Sequence, residues 1–197
     1  MMPTTINDLS AMVCISAMQK CIRRGMEREA MEFAAELICS SKAFCTMACN
    51  RLEIISQEDI GLANPEAVIF TAVACEQARR LWNKDRPGKA LLPIGNAIRL
   101  LCRSNESREG DHFVIAVAKK LEQGYTPEVP DFVYDHHTAQ GRKQKRGLEF
   151  FRTVSTKLVP QPPKDIYEDE AYEMLELSMK QPRKNNNQPL FNKDTDE

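Results

Sequence analysis

Apolar residues recur along this chain at helical spacing. From Ile6 to Arg24 they fall at Leu9, Met12, Val13, Ala17 and Cys21, with Ile15, Met18 and Ile22 on an adjoining face. A helix apolar on two sides expects neighbours on both, and Gly25 is placed to stop it. Leu9, Val13 and Ala17 are expected to face the core, and Ile15, Met18 and Ile22 another surface. The next segment sets Ala30, Phe33, Ala34, Leu37 and Ile38 on one face and Glu29, Glu32 and Glu36 on the other, an amphipathic helix. A third runs through Phe44, Ala48, Leu52 and Ile55, and short loops predict antiparallel packing of the three.

Asn64 followed by Pro65 reads as an N-cap and first helical residue, with a helix running to about Trp82. Lys89 to Arg103 is a further helix, bent or started late by Pro93. Ser107 is the expected cap of the next, with Phe113, Val114, Val117, Ala118 and Leu121 as its buried stripe. After Gly124 the texture changes: Pro127 and Pro130 mark extended loop, and a basic polar stretch follows. A helix from about Gly147 to Leu158 is expected to bury Leu148, Phe151, Val154 and Leu158. Asp165 is read as the cap of a last helix with Tyr167, Ala171, Met174 and Leu175 inward. The expected organisation is a helical core over 1–124, a Pro-punctuated basic loop with terminal helices packed on it over 125–180, and a disordered tail over 181–197. The fold class is all-α, a compact bundle of about seven to eight helices.

Composition narrows the function classes. The 27 basic and 28 acidic residues leave a net charge of −1, so any nucleic-acid role must come from a local patch. No apolar run approaches the length of a membrane helix, and Met1 to Asp8 lacks the basic flank of a secretory signal. The seven cysteines stand mostly among apolar neighbours, as buried thiols do in a reducing cytoplasm, which is the expected compartment. Cys45 and Cys49, one helical turn apart, permit a metal clip but lack a second ligand pair, so they are read as core.

Three further features are candidates for chemistry. Glu58 and Asp59 are adjacent and point about 100° apart on a helix, which suits pairing with an arginine or capping better than sharing one proton. Asp135, His136 and His137 are read as polar loop residues, because neighbouring histidines rarely reach one ion and His112 lies on a different helix. No metal site and no cofactor is expected, and a metal-dependent hydrolase built on His112, His136 and His137 is the least favoured function. Arg142, Lys143, Lys145 and Arg146 form a run with no interspersed acid and, with Arg152 on the helix that follows, make up the candidate nucleic-acid-binding set. The rival reading pairs them with the acidic stretch Asp165, Glu168, Asp169, Glu170, Glu173 and Glu176.

The run Ile54-Ile55-Ser56-Gln57-Glu58-Asp59-Ile60-Gly61-Leu62-Ala63-Asn64-Pro65 resembles the Ala-Ser-Glu-Asp-Ile-Gly-Leu-Ala-Asp-Pro signature of the C-terminal region of the RarA/MgsA proteins, the replication-associated recombination AAA+ ATPases. Ser56, Glu58, Asp59, Gly61, Asn64 and Pro65 carry that match. Ile15 to Cys21 and Glu29 to Leu37 are similar to that region's first two helices. Ser104 and Asn105 stand where the family commonly has Pro-Lys-Ser-Asn, and Val129-Pro130 matches its late Val-Pro. The resemblance covers about residues 9 to 130, and Asp135 to Arg142 departs from the usual ending. It implies an all-α, clamp-loader-collar-like module that joins ATPase subunits into tetramers. No Gly-x-x-x-x-Gly-Lys-Ser/Thr occurs, so no phosphate loop for ATP is present in the sequence. Met1 stands almost directly before the first helix, so the chain is expected to be a module encoded alone or an excised fragment, with a standalone product favoured. The expected function is a non-catalytic assembly module in DNA replication, recombination or repair, a homo-oligomer working with an AAA+ ATPase or replication-fork proteins; the alternative is a DNA-binding accessory protein.

Overall fold

The computed structural model describes residues 4–180. Among these residues the regular secondary structure is helical, and no strand forms beyond an isolated bridge between Thr4 and Ser10. The chain divides into two compact units between Tyr125 and Thr126.

The first unit holds α1 (Ala11–Ile22), α2 (Glu27–Ser40), α3 (Lys42–Ile55), α4 (Pro65–Leu81), α5 (Leu91–Arg103) and α6 (Glu109–Glu122). The starts follow local chemistry. Ser41 caps α3 by accepting from Phe44 N–H at 3.1 Å, and Asn64 caps α4 by accepting from Ala67 N–H at 3.2 Å with Pro65 behind it. Pro93 falls in the first turn of α5, where its missing N–H would have had no helical partner, so the helix begins at Leu91 after a 3-10 turn rather than bending. Gly25, at φ +66°, takes the left-handed conformation that ends α1.

Helices α1 to α5 share one core, with α1 against α2, α2 against α3 and α5, and α4 against α3 and α5. Met18, Ile22, Leu37, Ile38, Leu52, Ile55, Ile94, Ile98 and Leu101 are fully buried in it. Trp82, the one tryptophan, packs on its edge and donates its indole N–H to Ile38 O at 2.8 Å.

Two faces differ from expectation. In α1 the buried set is Ala11, Cys14, Ile15, Met18 and Ile22, while Leu9, Met12 and Val13 are exposed, the reverse of the predicted assignment. Both stripes are apolar, and the small residues decide between them. Ala11 and Cys14 are small and wholly buried, so this face lets α1 approach its neighbour α2 closely, which a Val13 face would not. In α6 no residue is buried: Phe113, Val114, Ile115, Val117 and Leu121 all face solvent. Its principal neighbours are the two short turns between α3 and α4. Ser107 accepts from Glu109 N–H at 3.3 Å, and the helix starts at Glu109.

The second unit holds α7 (Ala139–Lys143), the single turn α8 (Leu148–Phe150) continuing as a π-turn over Phe151–Ser155, and α9 (Glu168–Lys180). The helix expected over 147–158 is therefore shorter, and neither it nor α9 buries its apolar stripe. Val154, Leu158, Tyr167, Met174 and Leu175 are exposed. Asp165 accepts from Tyr167 N–H at 2.8 Å, three residues ahead of the first residue of α9. These stripes lack burial because the second unit has no large layer of its own to cover them, unlike α1 to α5. The tail expected to be disordered, 181–197, lies outside the described residues.

Candidate functional site: the π-turn, its arginines and the α6 face

Ser56 to Ile60 continue α3 as one turn of π-helix, and Gly61 to Ala63 follow as a 3-10 turn before Asn64 opens α4. A π-turn widens the helix and re-aims its side chains. Here it buries Ser56, Asp59 and Ile60 together. Ser56 Oγ donates to Glu53 O at 2.7 Å, and Gly61 takes φ +50° and ψ −128°, a combination closed to side-chain-bearing residues.

The widened turn presents Glu58 and Asp59 to two arginines from separate elements. Arg23, at the end of α1, donates Nε to Asp59 Oδ2 at 2.7 Å and its terminal nitrogen to Glu58 Oε1 at 2.9 Å. Arg108, just before α6, donates to Glu58 Oε1 at 2.7 Å and to Asp111 Oδ2 at 2.7 Å. Its Nε stands 3.4 Å from Asp59 Oδ1, a buried oxygen with no hydrogen bond. Gln19 donates to Glu58 Oε2 at 3.2 Å, and Ser107 N–H donates to the Asp59 carbonyl at 2.8 Å. The Asp59 hydrogen bond, offset by burial and aided by the charges of Asp59 and Glu58, holds the Arg23 guanidinium above its usual range. Arginine thus engages both carboxylates, Asp59 through Oδ2 and Glu58 through Oε1, in a structural ion-pair cluster.

Asn64 joins the same region by a second route. Its side-chain NH2 donates to Ser104 Oγ at 2.9 Å, and Ser104 donates on to Leu100 O at 2.8 Å. Residues 40 positions apart thus lock the start of α4 to the end of α5, with Asn105 exposed beside them. Around the turn runs an open apolar groove of about 950 Å³. Ile54, Leu62, Pro65, Val68, Ile69 and Val114 are among its lining residues. Leu62 is 93% exposed and Ile69 66%, so the rim is apolar and uncovered.

The basic segment is brought into less open use than its sequence suggests. Arg146 spans Asp131 with two bonds of 2.7 and 2.8 Å, donates to Asp131 O and Tyr134 O, and lies over the Phe150 ring. Arg142 donates to His137 O at 2.7 Å. Arg152 pairs with Asp169 at 3.1 Å and stacks on Tyr172. Among the described residues Arg142, Lys143 and Lys145 make no ion pair; Arg142 is held on backbone carbonyls, and the two lysines make no side-chain hydrogen bond either. Arg23 and Arg108 were not singled out by sequence. The signal available was two unpaired acids in an apolar turn, with arginines just outside α1 and α6.

Cys45 and Cys49 are buried, with Cys75 donating to Cys49 O at 3.5 Å. Cys45 lowers the Cys49 thiol, but Cys75 and burial outweigh it and push it up to about 12. Such thiols pack rather than react.

The family described as MgsA AAA+ ATPase C terminal matches residues 14–185. The chain belongs to this family. The match takes in the π-turn, the Asn64–Ser104 lock, α6 and all of the described second unit. Replication-associated recombination protein A of Bacillus subtilis (strain 168) is 29% identical over 136 residues, 69% of this chain. Those residues make up 31% of that relative, so the chain spans less than a third of its length. This MgsA C-terminal chain is thus related to the carboxy-terminal part of an AAA+ protein. Among its described residues no helix is long and apolar enough to cross a membrane.

Proposed function

We propose that this chain is a non-catalytic assembly module of replication-associated recombination machinery, self-associating into a tetramer and working with an AAA+ ATPase. The observation that carries the reading is the uncovered α6. At about 100° per residue, Phe113, Val114, Val117 and Leu121 fall within one arc of about 100°. A 14-residue helix with no buried residue gains too little from propensity alone to be stable in water, so a packing partner is required. A second copy suits it. Phe113, Val117 and Leu121 are spaced symmetrically about Val117, so a two-fold axis there sets Phe113 of one copy against Leu121 of the other. Antiparallel pairing also lays the acidic first turn, Glu109 and Asp111, along the basic last turn, Lys119 and Lys120. A closed tetramer with dihedral symmetry needs a second, different self-contact. The outward Leu9, Met12 and Val13 of α1 supply an apolar face for it.

Light scattering at tens of micromolar tests this. The parent is expected as a tetramer, Val117→Glu and Val13→Glu each as a dimer, and the double variant as a monomer. A monomeric parent, or variants that leave the mass unchanged, refutes the reading. A monomer that binds a replication-associated recombination ATPase through α6 would keep the partner and remove the self-association. DNA binding by the basic segment has Lys143 and Lys145 as its ready cations, so its log–log salt slope should not exceed about −2 on duplex.

A further inference from the structure

We propose that Asp135, His136 and His137 form a binding site for a divalent transition-metal ion of the zinc class. Among the described residues these three make one group whose ligand atoms all lie within 4.8 Å of one another. On a helix or strand, three consecutive side chains diverge and do not converge on an ion. Here the backbone turns at this point: Thr138 N–H donates to Asp135 O at 3.2 Å and closes a tight loop. The histidine rings come to 3.9 Å, centroid to centroid. His137 Nδ1 lies 3.4 Å from Asp135 Oδ1. That matches the edge of a tetrahedron around zinc, about 3.3 Å for bonds of about 2.0–2.1 Å.

Two groups in the loop have unmet needs that an ion would satisfy. His136 Nδ1 is buried and makes no hydrogen bond, and such orphaned polar atoms are uncommon. Asp135 is a buried carboxylate, and among the described residues no lysine or arginine pairs with it; its partners are the His137 N–H at 2.9 Å and imidazole. A buried charge without a full counter-charge is costly.

The surroundings hold the loop in this shape. Thr138 Oγ1 donates to Asp135 O and accepts from Gly141 N–H, both at 3.0 Å. The Arg142 guanidinium sits on the His137 carbonyl rather than on the Asp135 carboxylate. A Cβ at Gly141 would stand 1.8 Å from Asp135 O, so only glycine admits α7 this close. Phe151 meets both rings edge-on at 5.1 and 4.9 Å, walling one side. His137 remains half exposed, so two nitrogens and one oxygen bind from the protein and the remaining position opens to solvent. The sequence pattern argues against the site because it counts neighbouring histidines as divergent, and the turn removes that objection. His112 stands on α6 of the first unit and takes no part.

Cobalt(II) titration of the full chain, after stripping with EDTA, provides the test. One equivalent should bind with the visible bands of a low-coordinate site and no thiolate-to-metal charge transfer, which separates it from the seven cysteines. Zinc should displace the cobalt. Asp135→Asn preserves the acceptor for His137 N–H, and His137→Ala removes an exposed ring. Each should weaken binding by more than about 100-fold, beyond what loss of a supporting group alone produces, with helicity unchanged. His112→Ala should bind as the parent does. No binding by the parent, a charge-transfer band, or undiminished binding by both loop variants overturns the proposal.

Discussion

Arg23→Met offers a direct measure of what the signature acids do. The substitution keeps the aliphatic stem and removes a guanidinium that makes charge-assisted bonds to Asp59 at 2.7 Å and Glu58 at 2.9 Å. The Asp59 side chain is 3% exposed, and its other oxygen has only Arg108 Nε at 3.4 Å, so its charge would be left nearly unpaired. Hydrogen bonds to charged groups contribute about 1.5–3 kcal/mol, and breaking a buried pair costs about 3–5 kcal/mol. Arg23 is itself 29% exposed and Glu58 keeps Arg108 and Gln19, which discounts the loss to about 2–3 kcal/mol. Arg108→Met is the comparison. That side chain is 44% exposed and makes no hydrogen bond to Asp59, so about 0.5–1 kcal/mol is expected. Urea unfolding followed by Trp82 fluorescence reports the first unit specifically, because the single tryptophan packs on its core. At a slope of about 2 kcal/mol/M, Arg23→Met should lower the midpoint by about 1–1.5 M and Arg108→Met by less than about 0.5 M. Equal shifts, or an Arg23→Met loss below about 1 kcal/mol, would refute the view that Asp59 depends on Arg23.

Glu36 accepts from the Thr5 hydroxyl and from Asn7 N–H and side-chain NH2; the Thr5 bond first, then those from Asn7, outweigh burial and hold its carboxyl below its ordinary range. A depressed folded value means its stabilisation is present above about 4.5 and lost as pH falls through the folded value, so Glu36→Gln should flatten the acid limb of the stability curve and speed hydrogen exchange at Leu9 N–H. Gly61→Ala meets no atom within 4 Å, so any cost is backbone strain: about 1–3 kcal/mol is expected, against nearly none for Gly88→Ala, by the same urea assay.

The helices were legible in the sequence because their signals are local. Asn64-Pro65 opens α4 where capping chemistry places it, and the period of Ala30, Ala34, Leu37 and Ile38 marks the inner face of α2. Which face turns inward was less legible where a helix carries two. Ala11 and Cys14 contribute little hydrophobicity to a pattern, but they set how closely α1 approaches α2. The stripe of α6 was legible as apolar, and only the fold shows that α1 to α5 close a core without it. Resemblance marked Ser56 to Pro65 as important, yet their partners Arg23, Arg108 and Ser104 lie up to about 50 positions away, beyond any local rule. The convergence of Asp135, His136 and His137 depends on one tight turn and on Gly141, neither of which periodicity records.

The division of charge between the two units bears on where a partner binds. Arginines dominate the internal pairing: Arg23, Arg79, Arg103, Arg108, Arg146 and Arg152 each engage a carboxylate. A guanidinium is planar and weakly hydrated, so it stays bidentate at a half-buried site where an ammonium would keep its water. Arg79 on Glu53 shows that two-bond geometry, with each terminal nitrogen on one carboxylate oxygen. A basic run rich in arginine therefore overstates the positive surface left for phosphates, and the two lysines of 142–146 are its better measure. The uncovered surface that remains is apolar instead, on α6, on the rim of the groove and on the outer face of α1. Steering by phosphate charge falls steeply with salt, whereas burial of Phe113, Val117 and Leu121 does not, and it strengthens with the excluded salts that strengthen apolar contacts. Association through α6 should accordingly persist at ionic strengths that abolish contacts made by Lys143 and Lys145. Measured mass at low and high salt would separate the two, and dissociation on adding salt would count against an apolar interface.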